Sequence, residues 1–184
     1  MTNWISGFME RALSIPKVTG DIFGLALFAI VLALTRSAYA KYGKNISSVL
    51  LWSMAGSAVC YLAVGICSNV YISAFFCVAT GVCSAMLWPG TLIMMEEKLP
   101  GAGVASYALM AAGGDLGGSV APQLMGAVVD KVTAMPFAKE IGSVLSLTPE
   151  QVGLKAGMLV SALFPIAGVV LLLCIRKKYY SKRA

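Results

Sequence analysis

Five near-continuous apolar blocks, at about 18–40, 49–67, 70–95, 104–129 and 156–175, limit what this chain can fold into. Each runs for about 19 to 26 residues, and a helix rising about 1.5 Å per residue needs about 20 to cross a hydrocarbon core. A soluble domain would interrupt such runs at period 3.6 or 2, and barrel strands would alternate over about ten residues; neither pattern is present. Composition agrees, with 59% hydrophobic residues, 12% charged and a mean hydropathy of +0.84. Soluble proteins carry about 25% charged residues. The sequence therefore predicts an all-α integral membrane protein of about five transmembrane helices, with the lipid bilayer as its first partner.

The connections add topology. An initial segment, 1–17, precedes a five-span membrane domain, 18–176, and a basic tail, 177–184. Five spans put the chain ends on opposite sides. With the tail in the cytoplasm, Arg36, Lys41, Lys44, Lys98, Arg176, Lys177, Lys178, Lys182 and Arg183 lie inside, against Arg11, Lys17, Lys131, Lys139 and Lys155 outside. That nine-to-five asymmetry favours this orientation. Trp4, Ile5, Phe8, Met9, Ala12 and Leu13 recur at helical spacing and predict a helix end lying at the membrane interface, broken by Ser14-Ile15-Pro16. In the long loop, 136–147 predicts a short surface helix, and Thr148-Pro149-Glu150-Gln151 a capping box opening the last span.

Several function classes drop out on chemistry. The +6 charge sits in short loops and the tail, so membrane topology accounts for it without nucleic acid. The chain has no histidine, no GxSxG, no phosphate-binding loop with lysine and no metal-ligand cluster, so neither an enzyme nor a cofactor is expected. Its five cysteines fall inside apolar blocks and read as small buried hydrophobes. The N-terminal stretch carries Glu10 and Arg11 and no cleavage pattern, so the first span or earlier sequence is expected to direct insertion.

Within the spans a few residues carry the chemistry. Asp115 lies about eleven residues into the fourth block, where an ionised carboxylate needs pairing, hydration or protonation; it either bonds a neighbouring helix or belongs to a substrate or ion path. Ser119 and Pro122 share its helical face. Pro89, Pro122 and Pro165 each free a carbonyl one turn earlier, giving a fixed kink or a hinge. Gly20-x-x-x-Gly24 and the cluster Gly113, Gly114, Gly117 and Gly118 allow close helix packing or bending. Trp88, Phe28 and Tyr107 either pack or line a binding cavity.

The order of these features resembles the second half of the major facilitator superfamily over nearly the whole chain. Leu34–Lys44, with Arg36, Lys41 and Lys44, resembles the short basic cytoplasmic loop after the eighth span, although the acidic member of that signature is absent. Ser84-Ala85-Met86-Leu87-Trp88-Pro89-Gly90 resembles the tenth span, and Gly113-Gly114-Asp115-Leu116-Gly117-Gly118-Ser119 the glycine-rich eleventh. The resemblance implies a partial helix bundle, with residues 1–13 ending a seventh span and an N-terminal half as a missing partner. It further implies a secondary transporter of the plasma membrane, of a bacterial inner membrane, that moves a small solute by alternating access with a coupling proton or sodium ion. Asp115, Trp88, Ser119 and Phe28 then line the path, and Pro89, Pro122, Gly114 and Gly118 bend the gating helices. The competing expectation is a non-transporting membrane scaffold or assembly subunit.

Overall fold

The computed structural model describes residues 5–101 and 103–181, and among these every regular element is helical. Trp4 and the tail bases Lys182 and Arg183 lie outside the described residues. After α1 (Ile5–Arg11), a continuous first long helix comprises α2 (Lys17–Thr19), a π-helical stretch (Gly20–Ala26) and α3 (Leu27–Tyr42). Then follow α4 (Ile46–Ile66), α5 (Val70–Ser84), α6 (Leu87–Lys98), α7 (Gly103–Ala134), α8 (Pro136–Leu145), α9 (Pro149–Ser161) and α10 (Leu163–Ser181).

Four stretches are long and apolar enough to cross a membrane: Lys17–Tyr42, Ile46–Ile66, Val70–Lys98 and Pro149–Lys178. The fourth block expected from sequence is also a helix, α7, and at 32 residues it has ample length. It is not among the four, because Asp115, Gln123, two serines and a run of glycines dilute its apolar character.

Side-chain contacts fix the direction of each pass. Phe28 meets Gly81 and Arg36 meets Ala85, so the first and third helices run parallel. Lys155 meets Cys67, Met54 meets Gly168 and Ser48 meets Arg176, so α4 runs against α9 and α10. Val129 lies against Gly153 and Met125 against Gly157, so α7 opposes α9; Trp88 against Gly114 and Tyr107 against Glu96 make it oppose α6. The five long helical stretches alternate in direction. Lys41, Lys44, Lys98 and Arg176 therefore gather at one end of the bundle, and Lys17, Lys131, Lys139 and Lys155 at the other.

Local chemistry explains the turns. The uncharged Ser68–Asn69 link is tight because Asn69 accepts from the backbone N–H groups of Tyr71 (2.9 Å) and Ile72 (3.2 Å), capping α5. The expected capping box is formed, with Gln151 N–H donating to Thr148 Oγ1 (3.2 Å) and Thr148 N–H to Gln151 Oε1 (2.9 Å). The short helix after Pro136 also forms, as α8, ending in left-handed Ser146.

α1 packs on protein, with Phe8 and Met9 buried beside Phe28, Val64, Leu154 and Met158. The physical reason is the helix spacing itself: the apolar face of α1 finds Gly20 and Gly24, whose missing side chains admit Met9. Ser6 donates to the Asp21 carboxylate, Gln151 Nε2 donates to the Ala12 carbonyl at 3.2 Å, and Arg11 pairs with Glu150 at 3.7 Å. These contacts tie α1 to the first long helix and to the start of α9. At the opposite end a second cluster joins Ile46, Leu50, Met86 and Leu172. Gly81 fixes the approach of the first and third helices, since a Cβ there would stand 2.8 Å from the Phe28 carbonyl oxygen.

Candidate functional site

Two of the long passes are interrupted, and the interruptions are alike. The third breaks at Ala85–Met86 and resumes as Leu87-Trp88-Pro89; the fifth breaks at Ala162 and resumes as Leu163-Phe164-Pro165. In each, proline occupies the first turn of the resumed helix, where a missing N–H is tolerated. The cost falls one turn earlier. Pro89 cannot donate to the carbonyl of Ala85, nor Pro165 to that of Ser161. A serine precedes each break and turns back on its own helix, Ser84 Oγ donating to the Thr80 carbonyl (2.6 Å) and Ser161 Oγ to that of Gly157 (2.8 Å). Such back-bonding bends helices.

Arg36 completes the first break. Its Nε donates to the Ala85 carbonyl at 2.9 Å, the acceptor that Pro89 leaves without a helical donor. The sequence places Arg36 in a cytoplasmic loop; in the fold it belongs to α3, more than a turn before the helix ends. Lys41 is likewise helical, its ammonium 5.1 Å from the Tyr42 ring centroid, and only Lys44 of the three lies in the connecting turn. Arg36 thus ties α3 to the break in its neighbour.

Both breaks open on one cavity of about 570 Å³. α4 contributes Ser57 and Tyr61 to its wall, the first break Ser84, Leu87 and Trp88, and the second Ser161, Phe164 and Pro165. α7 closes it with Gly114 and Pro122. A Cβ on Gly114 would collide with the Trp88 indole, so glycine is what lets the ring lie across α7. No charged residue lines the cavity. Among the described residues no group of three or more cysteine or acidic side chains could hold a metal ion, and the cysteines are free thiols.

The expected path residues separate into two places. Trp88, Gly114 and Pro122 meet at the cavity, and Pro89 sets the break beside it. Asp115, Ser119 and Gly118 do not line it; all three are exposed on α7. The depth of Asp115 in its block led to an expectation of burial among neighbouring helices, but α7 packs on α9 through Met125, Val129 and Thr133, leaving its glycine-rich half uncovered. Ser119 Oγ donates to the Asp115 backbone carbonyl at 2.8 Å, a bond within the helix. Phe28 is buried in the core against Gly81, away from the cavity.

Sequence reasoning passed over the hydroxyls. Ser57, Thr80, Ser84 and Ser161 look incidental inside apolar blocks, yet all four reach the cavity. Their signal is helical spacing: Ser53, Ser57 and Tyr61 succeed one another at four-residue intervals, as do Thr80 and Ser84, placing each set on one face. Comparison of the chain with known protein families, curated proteins and solved structures returns no match.

Proposed function

We propose that this chain is the solute-binding helical bundle of a secondary transporter of the major facilitator kind, embedded in the plasma membrane of a bacterium. The observation that carries this reading is the convergence of two proline-interrupted helices on one cavity. In transporters, interrupted helices supply the site and the parts that move, because irregular backbone is tolerated in lipid only where it lines a cavity or packs on protein. Alternating helix directions and an excess of basic residues toward one end support the membrane setting.

On this reading the small solute binds between Trp88, Ser57 and Phe164. The uncovered half of α7, with Asp115, Gly117 and Gly118, faces a second helical half, and Asp115 is the group at which a proton or sodium ion couples. A static scaffold would need no cavity at its helix breaks.

Side-specific labelling tests the proposal in the native membrane. With the native cysteines replaced, Thr91→Cys and Ser161→Cys variants are exposed to an impermeant thiol reagent in right-side-out and inside-out vesicles. Alternating access predicts labelling from both sides. Labelling from one side only, or from neither, overturns it.

A further inference from the structure

Three prolines lie inside the long helical stretches, and each deprives one carbonyl of its helical donor: Pro89 that of Ala85, Pro122 that of Gly118 and Pro165 that of Ser161. The three carbonyls differ in their surroundings. At Ala85, Arg36 Nε supplies the lost donor at 2.9 Å. Gly118 is exposed and does not line the cavity. Ser161 is half-buried and does line it, and among the described residues no side-chain donor reaches its carbonyl as Arg36 reaches that of Ala85.

The hydroxyls beside it add acceptors. Ser84 Oγ donates to the Thr80 carbonyl at 2.6 Å, Thr91 Oγ1 to that of Trp88 at 2.8 Å and Ser161 Oγ to that of Gly157 at 2.8 Å. A hydroxyl has one proton and two lone pairs, so each of these, its proton spent on its own helix, offers a bound molecule lone pairs alone. Tyr61 brings a phenol to the same wall, from which an oxygen on the ligand can accept whether or not that oxygen carries a proton.

The remaining wall sets the rest of the ligand. Leu87, Trp88, Met125, Phe164 and Pro165 give it broad apolar surfaces, and no lysine, arginine, aspartate or glutamate lines it. A cation would be drawn to the aromatic rings, but that attraction is smaller than the hydration lost in a space without a counter-charge. The volume of about 570 Å³ falls within the range of roughly 300–1,000 Å³ typical of small-molecule sites.

We infer that the cavity takes a neutral, largely apolar small molecule bearing an O–H or N–H group, and that this group donates to the Ser161 carbonyl as Arg36 donates to that of Ala85. Calling that molecule a transported solute rests on the function proposed above; its binding does not. The second break is thus completed by the ligand, where the first is completed by the protein. A molecule of similar shape without the proton binds more weakly.

The test compares two neutral ligands of nearly the same size, 6-bromo-2-naphthol and its methyl ether, of which only the first is a donor. The chain is placed in phosphatidylcholine nanodiscs with Trp4→Phe and Trp52→Phe, so that contact quenching by bromine reports on Trp88 alone. The expected result is saturable quenching above the linear signal of ligand dissolved in lipid. With each concentration corrected for partition into empty nanodiscs, the naphthol binds roughly three- to tenfold tighter than the ether, the worth of one hydrogen bond. Pro165→Ala restores an N–H that competes for the Ser161 carbonyl, so it abolishes this preference while the ether still binds. Ser161→Ala removes the hydroxyl and keeps the carbonyl, so the preference survives. A trimethylammonium analogue fails to compete. Quenching that stays linear, equal corrected affinities for naphthol and ether, a preference that persists in Pro165→Ala or vanishes in Ser161→Ala, or competition by the cation overturns the inference. Should Pro165→Ala fail to fold, the two ligands on the unaltered chain and on Ser161→Ala still decide. Binding that behaves as expected without two-sided labelling of the cavity refutes the transport reading alone.

Discussion

The Ala85 carbonyl loses its helical donor to Pro89 and regains one from Arg36, so three residues on two helices act as a single unit. Removing the guanidinium leaves a carbonyl bare in an apolar setting, and Arg36→Leu is expected to cost about 1–3 kcal/mol in a thermal melt of the purified protein. Pro89→Ala restores an N–H at position 89, so in that background the same Arg36 substitution should cost markedly less. Equal costs in both backgrounds would separate Arg36 from the break. Asp115 gives the opposite expectation. Its carboxylate is exposed on α7, so Asp115→Leu should change stability by no more than about 0.5 kcal/mol, whereas a buried acid replaced by leucine would lower the yield of folded protein. Pro89 and Trp88 were legible in sequence because proline in an apolar block has one physical consequence. Arg36 was not, since its partner lies 49 residues away and the pairing exists only once the first and third helices run parallel.

Among the elements, the helices and their turns follow from local chemistry, and the breaks follow from Leu-aromatic-Pro sequences preceded by serine. Their helical character and approximate limits can be read from the apolar blocks, and the caps at Asn69 and Thr148 from the residue types at helix starts. Which face of each helix is covered cannot, because a membrane helix is apolar all round and periodicity gives no direction. Glycine shows this best. Gly81 and Gly113 look alike in sequence, yet a Cβ on Gly81 would press on the Phe28 backbone while one on Gly113 would meet open space. Gly81→Ala is therefore expected to destabilise by about 1–3 kcal/mol through overpacking, and Gly113→Ala to leave the melt of the chain unchanged. Similar losses for both would show that α7 is covered in the isolated chain.

At the scale of the whole molecule, alternating passes bring two broken helices to one cavity and sort the basic residues between the ends. Everything proposed for the cavity depends on α7 crossing with the others, and α7 is the pass whose composition argues least for it. Its direction, opposed to both α6 and α9, is the one that a crossing would give it. Reporter fusions at Lys44, at Lys139 in α8 and after Lys178 decide the matter. The account predicts that the first and last report the cytoplasm and the middle one the opposite side. A fusion at Lys139 on the same side as the one after Lys178 would contradict the five-pass bundle and, with it, the cavity as a site within the membrane.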